Sequence, residues 1–477
     1  MDRSAPAYRN WKSLMAEGER FFARGRYEQA ADRFRRAAQA QPQRPAAWVN
    51  LGVALVEWQQ YGAALSALER ALELAPEFAP AHLARADALR GLGRLTPAVE
   101  AYRRAIALQP FAPALNKLGC LLRVLRRGEE AESCYRKALD LAPNYATARV
   151  NLATLQIDMG RFDLARTQLQ ALLSVALPPQ EREEAASALS LLQEYQRLEK
   201  AVGAAVGCGA LEPLRELLRQ TGREFLAADQ DCMDQLNAVA SSVQGYSDSD
   251  GEPPRFPELG PEWPILEAHF SLVLGDSLED YLRTRAGVEE AAAAGTPAKL
   301  PAVQNFKAAI IAARASAADL SDPITAELHL RYWHALIARD QSASLPGQFK
   351  LQGNQVIGSL GVTRAHPLHV AGTVRRFFGD IYPRVAPGMA RATLVFYAVG
   401  KLHAFADGNG RLACLLMNRE LENGGQAPFV FPSGLGGAMS QALGEVHRRS
   451  NLEPLLQVFG QARTFTRAFC AALREAA

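Results

Sequence analysis

Long apolar runs are missing from this chain. No uninterrupted stretch approaches the roughly 18 residues that a membrane-spanning helix requires, so no membrane partner is expected. Cysteine is scarce and unpaired. The six lie at 120, 134, 208, 232, 414 and 470, with no C-x-x-C spacing, which argues against a disulfide frame or a zinc site and for free thiols in a reducing compartment. A charge of one sign is lacking too: 53 basic and 50 acidic residues leave a net +3. That balance gives no electrostatic case for nucleic acid, and none is expected as a partner. Residues 1–12 hold no apolar core of the kind a signal peptide has. The expected location is therefore cytoplasmic, and translocation into a host cell would leave no readable mark.

What is present begins with a repeat. Prolines at 42, 76, 110 and 143 step by 34, 34 and 33 residues, and alanines at 30, 64, 98, 131 and 165 keep the same rhythm. Four residues after each alanine stands an aromatic or leucine: Phe34, Leu68, Tyr102, Tyr135 and Leu169. A small residue recurs at Gly52, Ala86, Gly119 and Ala153. The period is that of a helix–turn–helix unit in which small residues let paired helices approach, large ones fill the space between pairs, and proline ends the second helix. The pattern resembles the tetratricopeptide repeat. About five units over residues 10–178 suffice to stack into a superhelix, whose groove is expected to receive a peptide or a helix of a partner.

The densest chemistry lies near the other end, in His403-Ala404-Phe405-Ala406-Asp407-Gly408-Asn409-Gly410-Arg411. An apolar run (392–399) precedes it and a helix-like run (412–421) follows, so the stretch reads as helix, tight loop, helix. Backbone N–H groups opening the second helix form a natural cradle for phosphate. An imidazole base, a carboxylate able to bind a metal and an anion cradle are the components needed for attack on a phosphoryl group.

These residues resemble the Fic family signature, H-x-F-x-[DE]-G-N-[GK]-R-x-x-R. Seven of its eight defined positions are filled, and the last arginine is replaced by Cys414. The resemblance, which covers roughly residues 265–475, implies a protein adenylyltransferase. It implies that His403 takes the proton from a Ser, Thr or Tyr hydroxyl of a target protein, and that Asp407 holds Mg²⁺. Gly408, Asn409, Gly410 and Arg411 would grip the phosphates of ATP, the donor of first choice, while Phe405 packs beneath the loop. Upstream, Phe349, Val356 and Ile357 flank a Gln352-Gly353-Asn354 turn and read as a short β-hairpin. It is similar to the family's flap, which implies that Phe349, Gln355, Val356 and Ile357 bind an extended target segment by strand addition.

Cys414 opens alternatives. In the family the missing arginine holds the γ-phosphate of ATP and pairs with an inhibitory glutamate in a [ST]-x-x-x-E-[GN] segment. Here Ser271–Asp276 aligns with that segment with Gly275 at the glutamate position, so both members of the pair would be absent and restoring glutamate alone should not silence activity. The donor is then ATP without that clamp, or another phosphate-linked donor (for UMP, GMP or phosphocholine transfer). Otherwise the domain is degenerate and the chain is a non-catalytic scaffold. Three further features take plainer readings. His329 and His334 lie five apart, off the i, i+4 metal spacing, and read as packed or surface histidines. Gly434–Gly437 reads as a loop bordering the nucleotide pocket, and Cys414 as inert packing unless the nearby cradle lowers its pKa.

The expected architecture is all-α with one small hairpin, over 477 residues. It comprises a tail (1–9), the repeats (10–178), a helical linker region (179–244), an acidic Pro/Gly linker (245–264) and a Fic-type domain (265–477).

Overall fold

The computed structural model describes residues 6–207, 211–244, 262–272, 275–294, 301–339, 345–352 and 364–476. They fall into two compact units, Met1–Leu189 and Ser190–Ala477, each taken by itself. Among the described residues there is no strand, and no helix is long and apolar enough to cross a membrane.

The first unit is five helix pairs: α1 (Pro6–Ala23) with α2 (Tyr27–Ala40), α3 (Pro45–Glu57) with α4 (Tyr61–Leu74), α5 (Ala79–Gly91) with α6 (Leu95–Leu108), α7 (Ala112–Val124) with α8 (Gly128–Leu141), and α9 (Ala146–Asp158) with α10 (Phe162–Leu173). The periodic alanines 30, 64, 98, 131 and 165 are fully buried. The small residues sit where expected: a Cβ on Gly52 would lie 2.5 Å from the Leu68 side chain, and one on Gly119 would lie 2.6 Å from the Tyr135 ring. The turns inside the pairs carry a further regularity. Gly25, Gln59, Gly93, Arg126 and Gly160 all have left-handed φ, between 57° and 72°. Glycine adopts that conformation freely, whereas glutamine and arginine do so at a cost.

The second unit begins within α11 (Pro179–Gly207) and continues through α12 (Leu211–Arg219), α13 (Gln230–Gln244), α14 (Trp263–Ser271), α15 (Leu278–Ala294), α16 (Pro301–Ala315) and α17 (Pro323–Ile337). It is completed by α18 (Val370–Arg376), α19 (Met389–Leu402), α20 (Asn409–Asn423), α21 (Gly436–Arg449) and α22 (Glu453–Glu475). Residues 367–381 form a 3₁₀ turn, α18 and a π turn at Phe377–Ile381. At its centre α19 is buried all round, with Leu394, Val395, Phe396, Tyr397, Ala398 and Val399 all in the core, as expected of a helix apolar on every face. The N-terminus of α17 is set by Asp322, whose carboxylate accepts the Thr325 N–H at 2.8 Å, and by Pro323 in the first turn.

Residues read as a helical linker are core here. Cys232, Met233, Leu236 and Val239 of α13 join the main apolar cluster, and Val202, Val206, Leu214 and Leu218 pack with Leu328. Their apolar residues recur at helical spacing, so the segment has a face to bury, which a free connector lacks. Of the acidic Pro/Gly linker, 245–261 lies outside the described residues, while Trp263 and Pro264 open α14.

Candidate active site

The motif occupies the turn between α19 and α20. His403 caps α19 in a left-handed conformation (φ 45°, ψ 54°), and Gly408 takes φ 78° just before α20. The turn is braced on both sides. Asn409 is buried and its amide is committed to the loop: Nδ2 donates to the Phe405 carbonyl at 2.8 Å, and Oδ1 accepts the Phe405 N–H at 3.0 Å. The same Nδ2 lies 3.3 Å from His403 Nδ1. Asn409, which the sequence pointed to as a phosphate ligand, thus braces the turn and lies against the imidazole. Phe405 is fully buried, as expected for a residue beneath the loop.

His334 supplies the second brace, and the sequence reading passed over it. Its ring stacks on Phe405 at 3.8 Å and 8°. Nδ1 accepts the Gly347 N–H at 3.0 Å, which leaves the proton on Nε2 to donate to the Asp407 carbonyl at 2.9 Å. Burial pushes its pKa down to about 4. It is a packed histidine, as the spacing suggested, yet both ring nitrogens hold the site. Gly408 is the residue that fits against it, since a Cβ there would lie 3.2 Å from His334 Nε2. A helical i, i+5 spacing carries no sign of such a role.

His403 itself is half-buried, and its pKa is lowered to about 4 by burial first, then by the nearby charges of Arg364 and Lys350, against the raising pull of Asp407. It is neutral at physiological pH, the state a proton acceptor requires. Arg364 donates to the Gly400 carbonyl at 2.5 Å, and the Lys350 N–H donates to the Ala404 carbonyl at 2.9 Å. The Lys350 ammonium is buried without a hydrogen-bond partner among the described residues, and burial lowers its pKa to about 8. Neither cation was singled out from the sequence, because both are distant in the chain from His403.

Asp407 projects into solvent, with 65% of its side chain exposed and its carboxylate 3.4 Å from Arg411 Nη2. Arg411 Nη1 is buried and has no hydrogen-bond partner among the described residues. Gly410 is exposed, with open space where a Cβ would stand. An unpaired guanidinium nitrogen beside an open helix N-terminus fits a bound phosphate. No group of three or more His, Cys, Asp or Glu that could hold a metal occurs among the described residues. One exposed carboxylate fits Mg²⁺ shared with a substrate's phosphates, the usual arrangement for that ion, better than a resident metal cage.

The expected flap falls mostly outside the described residues: Gln355, Val356 and Ile357 do. Phe349 is fully buried, 5.3 Å from Phe405 between ring centres and beneath the Arg331 guanidinium at 3.5 Å. It is part of the loop's foundation and offers no surface to a target. Cys414 bonds to the Ser271 hydroxyl, and burial, with Glu267 nearby, raises its pKa to about 12, opposite to an activated thiol. Glu267 is buried, accepts the Trp263 indole N–H at 2.8 Å, and is raised by burial to about 7. Gly275 has φ 140°, and a Cβ there would lie 2.5 Å from Asp280 Oδ2, so a glutamate at 275 would strain the backbone as well as add charge. The glycine-rich segment read as a loop is a 3₁₀ turn, Ser433–Leu435, leading into α21, and its Ser433 N–H donates to Asp276 at 2.7 Å.

Comparison with known proteins agrees with this division. Residues 323–421 match the Fic/DOC family, and 18–59, 54–113 and 126–192 match tetratricopeptide repeat models. Curated relatives include the Protein CTR9 homolog of Arabidopsis thaliana, 28% identical over 29% of this chain and 12% of that protein. Another is the Hsp70-Hsp90 organizing protein of Triticum aestivum, 34% identical over 21% of this chain. The chain spans 12% and 17% of these two relatives. Among solved structures, a thermophilic TPR protein of Thermus thermophilus is 26% identical, covering 38% of this chain and 98% of its own, with a TM-score of 0.33. The first TPR of Spaghetti (RPAP3) bound to an HSP90 peptide is 25% identical, covering 25% and 94%, with a TM-score of 0.24. The chain thus carries a Fic/DOC domain behind N-terminal tetratricopeptide repeats.

Proposed function

We propose that this chain, a Fic/DOC domain preceded by tetratricopeptide repeats, transfers AMP from ATP to a Ser, Thr or Tyr hydroxyl of a protein that its repeats recruit. The family match supports the broader statement, transfer of a phosphate-linked group onto a protein, and the repeat matches support a protein or peptide partner. The observation that carries the finer reading is the meeting, on one turn, of a neutral imidazole, an exposed carboxylate and a buried guanidinium nitrogen without a hydrogen-bond partner among the described residues. His403 takes the hydroxyl proton as the oxygen attacks the donor's α-phosphorus, and the bond from that phosphorus to the oxygen bridging the β-phosphate breaks, so that AMP is transferred and pyrophosphate leaves. Burial and the charges of Arg364 and Lys350 outweigh the raising pull of Asp407 and keep the imidazole's basicity low, and a bound anionic donor offsets those charges and raises it. Asp407 would hold Mg²⁺, which would supply charge neutralisation on the transferring group. Arg411 and the N–H groups opening α20 hold phosphate oxygens, while Asn409 and His334 keep the turn in shape.

The donor is the open choice. The position of the missing arginine is a thiol beside the Ser271 hydroxyl and near Glu267, and none of these three groups offers positive charge to a third phosphate. This favours testing UMP, GMP and phosphocholine transfer beside AMP. The free thiols at 120, 134, 232, 414 and 470 suit action in a reducing compartment such as the cytoplasm.

The deciding experiment incubates the protein with cell extract, Mg²⁺ and labelled ATP, UTP, GTP or CDP-choline, beside a His403→Ala control. Label that depends on both His403 and Mg²⁺ supports an enzyme and identifies its donor. Absence of label with every donor, with no nucleotide binding, leaves the scaffold reading.

A further inference from the structure

The turn that carries the motif is held at two backbone carbonyls, Ala404 and Asp407, and both lead back to α11. The Tyr195 hydroxyl donates to the Lys350 carbonyl at 2.9 Å and lies 3.0 Å from the Pro367 carbonyl. The Lys350 N–H then donates to Ala404. One helical turn along α11, Glu199 accepts the Phe349 N–H at 2.7 Å and forms a two-pronged ion pair with Arg331 at 2.8 and 2.9 Å. Arg331 Nη1 also lies 3.2 Å from the Gly347 carbonyl that it donates to. The Gly347 N–H donates to His334, and His334 to the Asp407 carbonyl.

We infer that Tyr195 and Glu199 of α11 are positioning residues for the motif turn. Each acts through the 347–350 segment: Tyr195 fixes the end of the turn next to His403, and Glu199 the end at Asp407. The segment has little freedom to settle elsewhere. A Cβ on Gly203 of α11 would lie 2.3 Å from the Gln348 side chain, and one on Gly347, at φ 72°, would lie 2.8 Å from Val206. Glu199 and Arg331 are both about 1% exposed, so water cannot replace the contacts they make. Buried networks of this kind fix one arrangement of the groups they bind.

The test uses the full chain with Tyr195→Phe and Glu199→Gln, read by amide hydrogen exchange, which needs no enzymatic activity. The expected result is faster exchange in peptides covering 345–352 and 403–408, about fivefold for each hydrogen bond removed, with α21 and α22 unchanged. Unaltered exchange in both variants overturns the inference, and so does uniform acceleration across the whole unit, which would mark a general loss of stability. The inference concerns how the proposed active site is held, so a second readout follows label transfer. Tyr195→Phe lowers kcat about fivefold with KM for the donor unchanged, and a loss carried by KM alone counts against it. A wild-type protein that transfers no label defeats the proposed function while leaving the exchange result to decide this one.

Discussion

Replacing His334 by phenylalanine separates its two contributions. Phenylalanine can keep the stack on Phe405 but supplies neither the acceptor for Gly347 nor the donor for Asp407. The Gly347 amide is buried and loses its partner outright, at about 1–3 kcal/mol; the Asp407 carbonyl belongs to an exposed residue and can turn to water, at about 1 kcal/mol. The expected loss at pH 7.5 is about 2–4 kcal/mol. The pH dependence changes too. With a native pKa of about 4 against 6.5 unfolded, His334 binds protons more readily in the unfolded chain, so wild-type stability falls as pH drops through that window. Between pH 7.5 and 5 this group alone removes about 2 kcal/mol, a loss the variant does not suffer. Hydrogen exchange of the α19 and α20 amides reads the opening of this unit directly. At pH 7.5 the variant should exchange roughly 30- to 700-fold faster, with the gap to wild type narrowing toward pH 5. An acceleration below threefold at pH 7.5, or a gap independent of pH, refutes the reasoning.

Lys350→Met removes one of the two cations that depress His403; the imidazole pKa should rise, as read by NMR titration, and a fall or no change contradicts the assigned cause. Glu267→Gln removes a buried carboxyl whose native pKa lies near 7 against an ordinary 4.5. Such a group weakens the fold progressively as pH rises through that interval, so the variant should gain about 3 kcal/mol at pH 8 and about 1 kcal/mol at pH 5, measured by exchange in α14. Gln59→Gly relieves an exposed left-handed glutamine in a repeat turn; about 1 kcal/mol of added stability in the first unit is expected from denaturant titration, and destabilisation would contradict it.

The repeats were legible because their packing is local. The residue that must be small and the one that fills the space are sixteen apart, as with Gly52 and Leu68, and recur with the period of the chain. The motif was legible for a similar reason, since nine consecutive residues carry most of its chemistry. What escaped were the side chains that reach the turn from elsewhere: His334, Lys350, Arg364, Tyr195 and Glu199. Nothing in their own neighbourhoods distinguishes a histidine on a buried helix face from one that closes a network, because the partners are fixed only by the tertiary fold. Asn409 shows a second role that the motif alone did not signal. A polar residue inside a phosphate-binding signature suggests a ligand, yet its amide closes two hydrogen bonds onto the backbone of Phe405.

His403 terminates α19 with a backbone that twists the opposite way from the helix it ends. Glycine or asparagine would occupy that position with less strain, and neither can accept the proton from an alcohol. Under the proposed function, the chain keeps the side chain assigned to proton transfer at a point where its own folding preferences run against it. Selection for greater robustness alone would then drift toward an inert protein at this one position, so the proposed activity and durability compete at a single residue.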